Sequence, residues 1–183
     1  SFSRRQRQMC IRDRNYYLYH RNDENADFEL LRKFKFQEPM FSPSTYSYDP
    51  RYVYMRGQAV AKDGTVIDDS DTDALWLYDA YEDKFVEKIY ENPDYDVGGI
   101  AISEKTKKPV YVSYVGEKPE KVWLDNDLKQ VYDSIEASFP NDKVSIGSWT
   151  KNEDKAIIRT WSDTNPGEMY FYDRNKGSIS FIA

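Results

Sequence analysis

Cysteine and histidine are all but missing from this chain of 183 residues: Cys10 and His20 are the single examples of each. Cys10 sits in an N-terminal segment unlike the rest, so the body of the chain has no cysteine, which excludes a disulfide framework and a thiolate metal site. A Ser-His-Asp or Cys-His device would rest on His20 alone, and the G-x-S-x-G turn that presents a nucleophilic serine occurs nowhere. Gly98-Gly99 opens a strand instead of a strand-to-helix turn, and no Lys-Ser or Lys-Thr follows it, so a phosphate cradle is not supported. No apolar run approaches the roughly 20 residues of a membrane-crossing helix, and no membrane insertion is expected. A net charge of −6 argues against the phosphate backbone of a nucleic acid as partner. The sequence therefore offers no catalytic, cofactor-binding or metal-ligating residue.

What it has in quantity is aromatic and β-branched residues in short periodic runs. Aromatics make up 16% of the chain, which favours strands over helices. One phrase returns: apolar or aromatic residues, an acid, then a polar turn. It reads Leu75-Trp76-Leu77-Tyr78-Asp79, then Val122-Trp123-Leu124-Asp125, then Met169-Tyr170-Phe171-Tyr172-Asp173, with a weaker echo at Tyr16-Tyr17-Leu18-Tyr19-His20. The acids are 46 (79 to 125) and 48 (125 to 173) positions apart. A repeat of about 40 to 50 residues is that of four-stranded propeller blades. The predicted fold class is all-β, a partial β-propeller of about three and a half antiparallel blades.

Turn signals and alternation lay out those blades. Residues 15–37 form a half blade, 40–91 a whole one, 95–140 a third and 143–183 a fourth. Strands are expected at Phe41 to Tyr48, Tyr52 to Arg56, Ala74 to Tyr78 and Phe85 to Tyr90, then at Val97 to Ser103, Val110 to Val115 and Lys121 to Leu124. The last blade places them at Val144 to Trp149, Ala156 to Trp161, Glu168 to Tyr172 and Ser178 to Ile182. Between Asn126 and Phe139 the apolar residues Leu128, Val131, Tyr132, Ile135 and Phe139 follow helical spacing, which predicts one short helical insert. Asp125 or Asn126 is suited to cap it, and Pro140 to end it. Three and a half blades cannot close a ring. The expectation is a fragment of a longer protein.

Residues 1–14 carry five arginines against one Asp13 and show no strand or helix pattern. The string Arg4-Arg5-Gln6-Arg7-Gln8-Met9-Cys10-Ile11-Arg12-Asp13 resembles a translated sequencing adapter, a non-native scar to be set aside from fold reasoning. Elsewhere the polar candidates have plain roles. Asp79, Asp125 and Asp173 fit acids that accept backbone N–H bonds and start turns. The run Asp68 to Asp73 alternates acids as a calcium loop does, but Ala74 and Ala80 stand where the loop needs Gly and Glu. His20 reads as a turn residue, Gly98, Gly99 and Gly147 as small residues for a crowded axis, and Trp76, Trp123, Tyr170 and Tyr172 as packing.

With the blades laid out, residues from Leu75 onward resemble the propeller of prolyl oligopeptidase family serine peptidases, of the acylaminoacyl-peptidase or dipeptidyl-aminopeptidase-like type. The residues that carry this are Leu77-Tyr78-Asp79, Asn92-Pro93-Asp94-Tyr95-Asp96-Val97, the strand pair around Val110 to Tyr114, the insert through Phe139-Pro140, and Ser162-Asp163-Thr164-Asn165-Pro166-Gly167 leading into Tyr170-Phe171-Tyr172-Asp173-Arg174. The resemblance implies a propeller stacked on an α/β-hydrolase domain that carries the catalytic triad beyond Ala183, with short peptides as substrates. This chain would then be a non-catalytic, inactive segment restricting access to that domain, with no cofactor. The connections Gly57 to Thr72, Gly116 to Pro119 and Ser162 to Gly167 are its candidate contact loops. The alternative is a binding or scaffolding propeller with no enzyme attached.

Overall fold

The computed structural model describes residues 15–21, 23–68 and 70–183. The N-terminal basic segment and Asp69 of the acidic run lie outside the described residues. Thirteen strands and one helix follow in order: β1 (Asn15–His20), β2 (Glu29–Lys35), β3 (Phe41–Tyr46), β4 (Tyr52–Gly57), β5 (Ala74–Asp79), β6 (Lys84–Tyr90), β7 (Val97–Ile102), β8 (Pro109–Val115), β9 (Pro119–Trp123), α1 (Asn126–Ala137), β10 (Lys143–Gly147), β11 (Lys155–Trp161), β12 (Glu168–Asp173) and β13 (Ser178–Phe181). They make antiparallel sheets in simple chain order: β1-β2, β3-β4-β5-β6, β7-β8-β9 and β10-β11-β12-β13, and among the described residues no sheet closes on itself.

The chain divides into two compact units. The first runs to Ile100 and includes Val112–Lys121, and the second comprises Ala101–Tyr111 and Val122–Ala183. In the first, the β1-β2 hairpin packs on the β3–β6 sheet. Leu18 and Phe34 of the hairpin share a core with Phe41, Val53, Met55, Trp76 and Tyr78. Phe41 and Phe85 are its hub: Phe41 meets Phe34 at 5.1 Å and Phe85 at 4.9 Å, and Phe85 meets Trp76 at 5.4 Å and Tyr78 at 5.0 Å, all near edge-to-face. That arrangement sets positive ring edges on negative faces, worth about 0.5–1.5 kcal/mol a pair beyond area burial.

In the second unit the helix α1 follows β9, the last strand of a three-stranded sheet. Its apolar stripe lies on the last sheet, where Ile135 shares a core with Ala156, Ile158 and Tyr172, flanked by Val131, Phe139 and Trp149. Asp125 caps it, accepting from Leu128 N–H at 3.0 Å. The helix ends at Ala137 rather than Phe139. Ser138 and Phe139 N–H bond back three residues, to Ile135 and Glu136 carbonyls, and Pro140 disfavours helical geometry at the residue before it.

The repeated acids close turns as expected. Asp79 accepts from Tyr81 and Glu82 N–H, both at 3.0 Å, and Asp173 from Lys176 N–H at 3.2 Å. The crowding expected at the glycines is confined to Gly98. A Cβ there would stand 3.1 Å from the Ser113 carbonyl oxygen, whereas at Gly99 it would make ordinary contacts and at Gly147 it would meet nothing within 4 Å. Gly57 shows a requirement that spacing did not reveal: φ is +131° and a Cβ would come 2.3 Å from the Met40 carbonyl oxygen.

Candidate functional site

Two turns and a helix of the second unit line an open cleft. Ser103 and Glu104 follow the end of β7, Val110 and Tyr111 begin the following strand β8, and Leu128 and Tyr132 come from α1. The β10–β11 connection adds Ser148, Trp149, Thr150 and Glu153. The space is about 390 Å³, within the range of small-molecule pockets.

The β10–β11 turn is held by its own threonine. Thr150 Oγ1 donates to Asp154 Oδ1 at 2.5 Å and accepts from the N–H groups of Asp154 and Lys155 at 3.3 and 3.2 Å. The first of these bonds holds the Asp154 carboxyl below the usual carboxylate range. Thr150 carbonyl accepts from Glu153 N–H at 2.9 Å, and Glu153 is left with φ +55°, a left-handed conformation uncommon outside Gly, Asn and Asp. The turn folds Glu153 inward. Only 6% of the residue is exposed, its side chain lines the cleft, and no described residue donates a hydrogen bond or ion pair to its carboxylate.

Aromatic rings form the facing wall. Trp149 Nε1 donates to Tyr132 Oη at 3.3 Å, with ring centroids 6.2 Å apart. Tyr172 meets Trp149 edge-on at 6.1 Å, and Trp123 sits between Tyr111 at 5.2 Å and Tyr132 at 4.7 Å. Burial pushes the Tyr132 hydroxyl pKa up, against the opposing effect of the Trp149 N–H. The phenol stays neutral. No Lys or Arg is among the residues that line the cleft.

The first unit has a second cleft, of about 320 Å³, lined by His20, Glu29, Lys62, Tyr81 and Asp83 among others. The His20 ring stands 6.1 Å from that of Tyr81, edge-on. No Ser, Thr or Cys lines this cleft beside it. The structure thus brings no hydroxyl or thiol nucleophile to His20 among the described residues lining this space, and Asp83 is engaged elsewhere, with Arg32 at 2.8 Å.

The three connections singled out in the sequence differ from one another. Gly57 to Thr72 folds onto its own sheet: Val60 bridges Val66, Ala61 and Ile67 N–H bond to Thr65 and Ala59 carbonyls at 2.8 Å, and Ala59 is fully buried. Gly116 to Pro119 is a tight turn closed by Gly116 N–H to Lys118 at 3.2 Å, and Ser162 to Gly167 one closed by Ser162 N–H to Asn165 at 3.0 Å. Neither of these two contributes a residue to the two clefts just described. In the acidic run, Asp68 pairs with Lys88, and Asp73 N–H donates to Asp96 Oδ1 at 2.8 Å. No group of three His, Cys, Asp or Glu among the described residues is placed to hold a metal ion.

The aromatics act as packing. Trp76 is buried with Nε1 on the Gly57 carbonyl at 3.1 Å, and Tyr170 lies between Phe139 at 4.8 Å and Phe181 at 5.6 Å. Glu153 was invisible to sequence reasoning, which placed it in an ordinary polar turn. Its burial follows from the turn that begins at Thr150: a β-turn whose fourth residue is left-handed and charged leaves no pattern in composition. Compared with known proteins, the chain matches no family model, no curated protein and no solved structure.

Proposed function

We propose that the chain is part of a β-propeller and serves as the non-catalytic portion of a serine peptidase of the prolyl oligopeptidase kind. The observation that carries this is the recurrence of one unit. Two four-stranded meanders, β3–β6 and β10–β13, run in strict chain order, and in each the third strand ends on the same aromatic-acid phrase, at Asp79 and Asp173. The β7–β9 sheet repeats the phrase at its third strand, with Asp125 turning the chain into α1. Face-to-face burial of the β1-β2 hairpin on the next sheet is how neighbouring blades exclude water from their faces.

The hydrolase partner comes from the family resemblance. In that role the propeller selects by size, admitting short peptides to a reactive site on another domain of a longer parent chain and keeping folded proteins out. The present chain should resist labelling by a fluorophosphonate, and the full-length parent should be labelled at one serine. Deleting 57–72 from the parent should change the length of peptide it turns over. Labelling of any serine within these 183 residues would overturn the assignment. A parent made of further blades with no labelled serine would establish the binding or scaffolding propeller instead.

A further inference from the structure

The cleft of the second unit holds a buried acid without a donor, and this points to a ligand that the peptidase assignment neither requires nor supplies. We propose that it is a binding site for an organic ammonium, with Glu153 as the ion-pairing group and Trp149 and Tyr132 as the wall for the carbon skeleton.

Burying a carboxylate without a hydrogen bond is costly, and such groups are normally paired. Glu153 as a residue is more than nine-tenths buried, its carboxylate has no hydrogen-bond or ion-pair partner among the described residues, and the residue lines the cleft, so the little of it that stays accessible can be reached from there. The missing complement is a positive donor. Glu104 at the rim adds a second negative charge, and no lining Lys or Arg competes for either.

The walls narrow the cation further. A bare metal ion needs several oxygen ligands in a fixed array, and no such cluster is present among the described residues. Trp149 and Tyr132, fixed by the bond between them and by Tyr172, present aromatic surface instead. Aromatic faces attract ammonium groups and their alkyl substituents together. Carboxylate, π-surface and a volume of about 390 Å³ describe a site for a primary or secondary ammonium on an apolar carbon chain. Two sources share that chemistry, a free amine and a lysine side chain of a peptide segment.

Calorimetric and NMR titrations of the whole chain would use phenethylammonium, its neutral N-acetyl derivative, and a capped glycyl-lysyl-glycine peptide against its norleucine counterpart. At least one ammonium probe should bind and shift the Trp149 indole N–H, assigned with Trp149→Phe, while the matching neutral probe should bind at least about tenfold more weakly. Glu153→Gln, which keeps the shape and backbone of the turn, should weaken the ammonium probe by about tenfold or more, and Asp163→Asn on an exposed loop should not. Preference for phenethylammonium identifies a free-amine site, and preference for the lysine peptide a segment-binding site. Equal binding of neutral and charged probes, binding that leaves Trp149 unshifted, or no binding by either ammonium would overturn the proposal. Should Glu153→Gln fail to fold, the charged-against-neutral comparison on the unaltered chain still decides.

Discussion

Arg32 carries a guanidinium that is 7% exposed, and the carboxylate of Asp83, 51 positions later, meets it. Arg32 Nη1 donates to Asp83 Oδ2 at 2.8 Å and Nη2 to the Asp83 carbonyl at 3.3 Å, while Tyr78 donates its hydroxyl to the other carboxylate oxygen. Lys62 also approaches Asp83, at 3.5 Å, but is largely exposed. Breaking a buried pair from one side strands the remaining charge, at about 3–5 kcal/mol, whereas an exposed partner contributes little. Asp83→Ala should lower the unfolding free energy by about 3 kcal/mol or more, read from denaturant midpoints at constant slope, and Lys62→Ala should leave the midpoint where it was. Equal small effects from both would show that Arg32 finds water in place of Asp83. The turn role of Asp79 and Asp173 was legible in the sequence because an acid at the end of an aromatic strand acts on its own neighbours. Asp83 belongs to a similar turn, but its partner lies on β2, and nothing local announces that.

At the scale of elements, strands were legible wherever one face is buried and the other wet. In β11, Ala156, Ile158 and Thr160 are buried while Arg159 and Trp161 are exposed, and its bounds fall within a residue of those expected. β4 gives no such alternation, since Val53, Tyr54 and Met55 are all buried, and there the flanking turns located the strand. Asp49-Pro50-Arg51, with Pro at the second position of a tight turn, marks one end, and Tyr52 N–H closes it on the Asp49 carbonyl at 3.1 Å. The helix was legible from its period, but the surface it covers was not. Ile135 is 1% exposed and shares a core with Ile158 and Tyr172 of the last sheet. Ile135→Ala removes that contact and leaves a void that β11 and β12, fixed by their own ladder, cannot fill. The expected cost is about 2–5 kcal/mol, with loss of helical circular dichroism at lower denaturant than in the parent. Lys129→Ala, on the exposed face and paired only with Asp133 at 2.5 Å, should change neither reading. A full-sized loss at Lys129 would mean that the exposed ion pair with Asp133, not burial against the sheet, holds α1 in place, since alanine is itself the better helix former.

For the whole molecule, the abundance of tyrosine sets the response to alkali. Three phenols are held above their ordinary pKa by burial first of all: Tyr54 and Tyr78 in the first unit and Tyr132 in the second. Asp83 adds to the shift at Tyr78 by accepting its proton in a hydrogen bond and by its charge. Each folded unit thus binds protons that the unfolded chain, with phenols near pKa 10, gives up sooner. Stability contributed by the neutral phenols is fully present below pH 10 and is lost as pH rises above it, because the unfolded chain gains by ionising and the folded one does not. Asp79 acts at the opposite end. Its pKa is lowered mainly by the hydrogen bond from Arg51, so its contribution is present above the unfolded value near pH 4 and is lost as pH falls through the folded one. A plateau of denaturant midpoints between about pH 6 and 9 should therefore bend down above about pH 10, with the last part of the tyrosinate absorbance, that of the three buried phenols, rising in step with unfolding instead of ahead of it. Tyr78→Phe should shallow the alkaline bend at some cost in stability on the plateau, since Asp83 loses a donor. If tyrosinate absorbance rises to the full count of tyrosines while circular dichroism still reports folded sheets, the three phenols are open to solvent, and the burial of hairpin on sheet in the first unit and of helix on sheet in the second is looser than their packing implies.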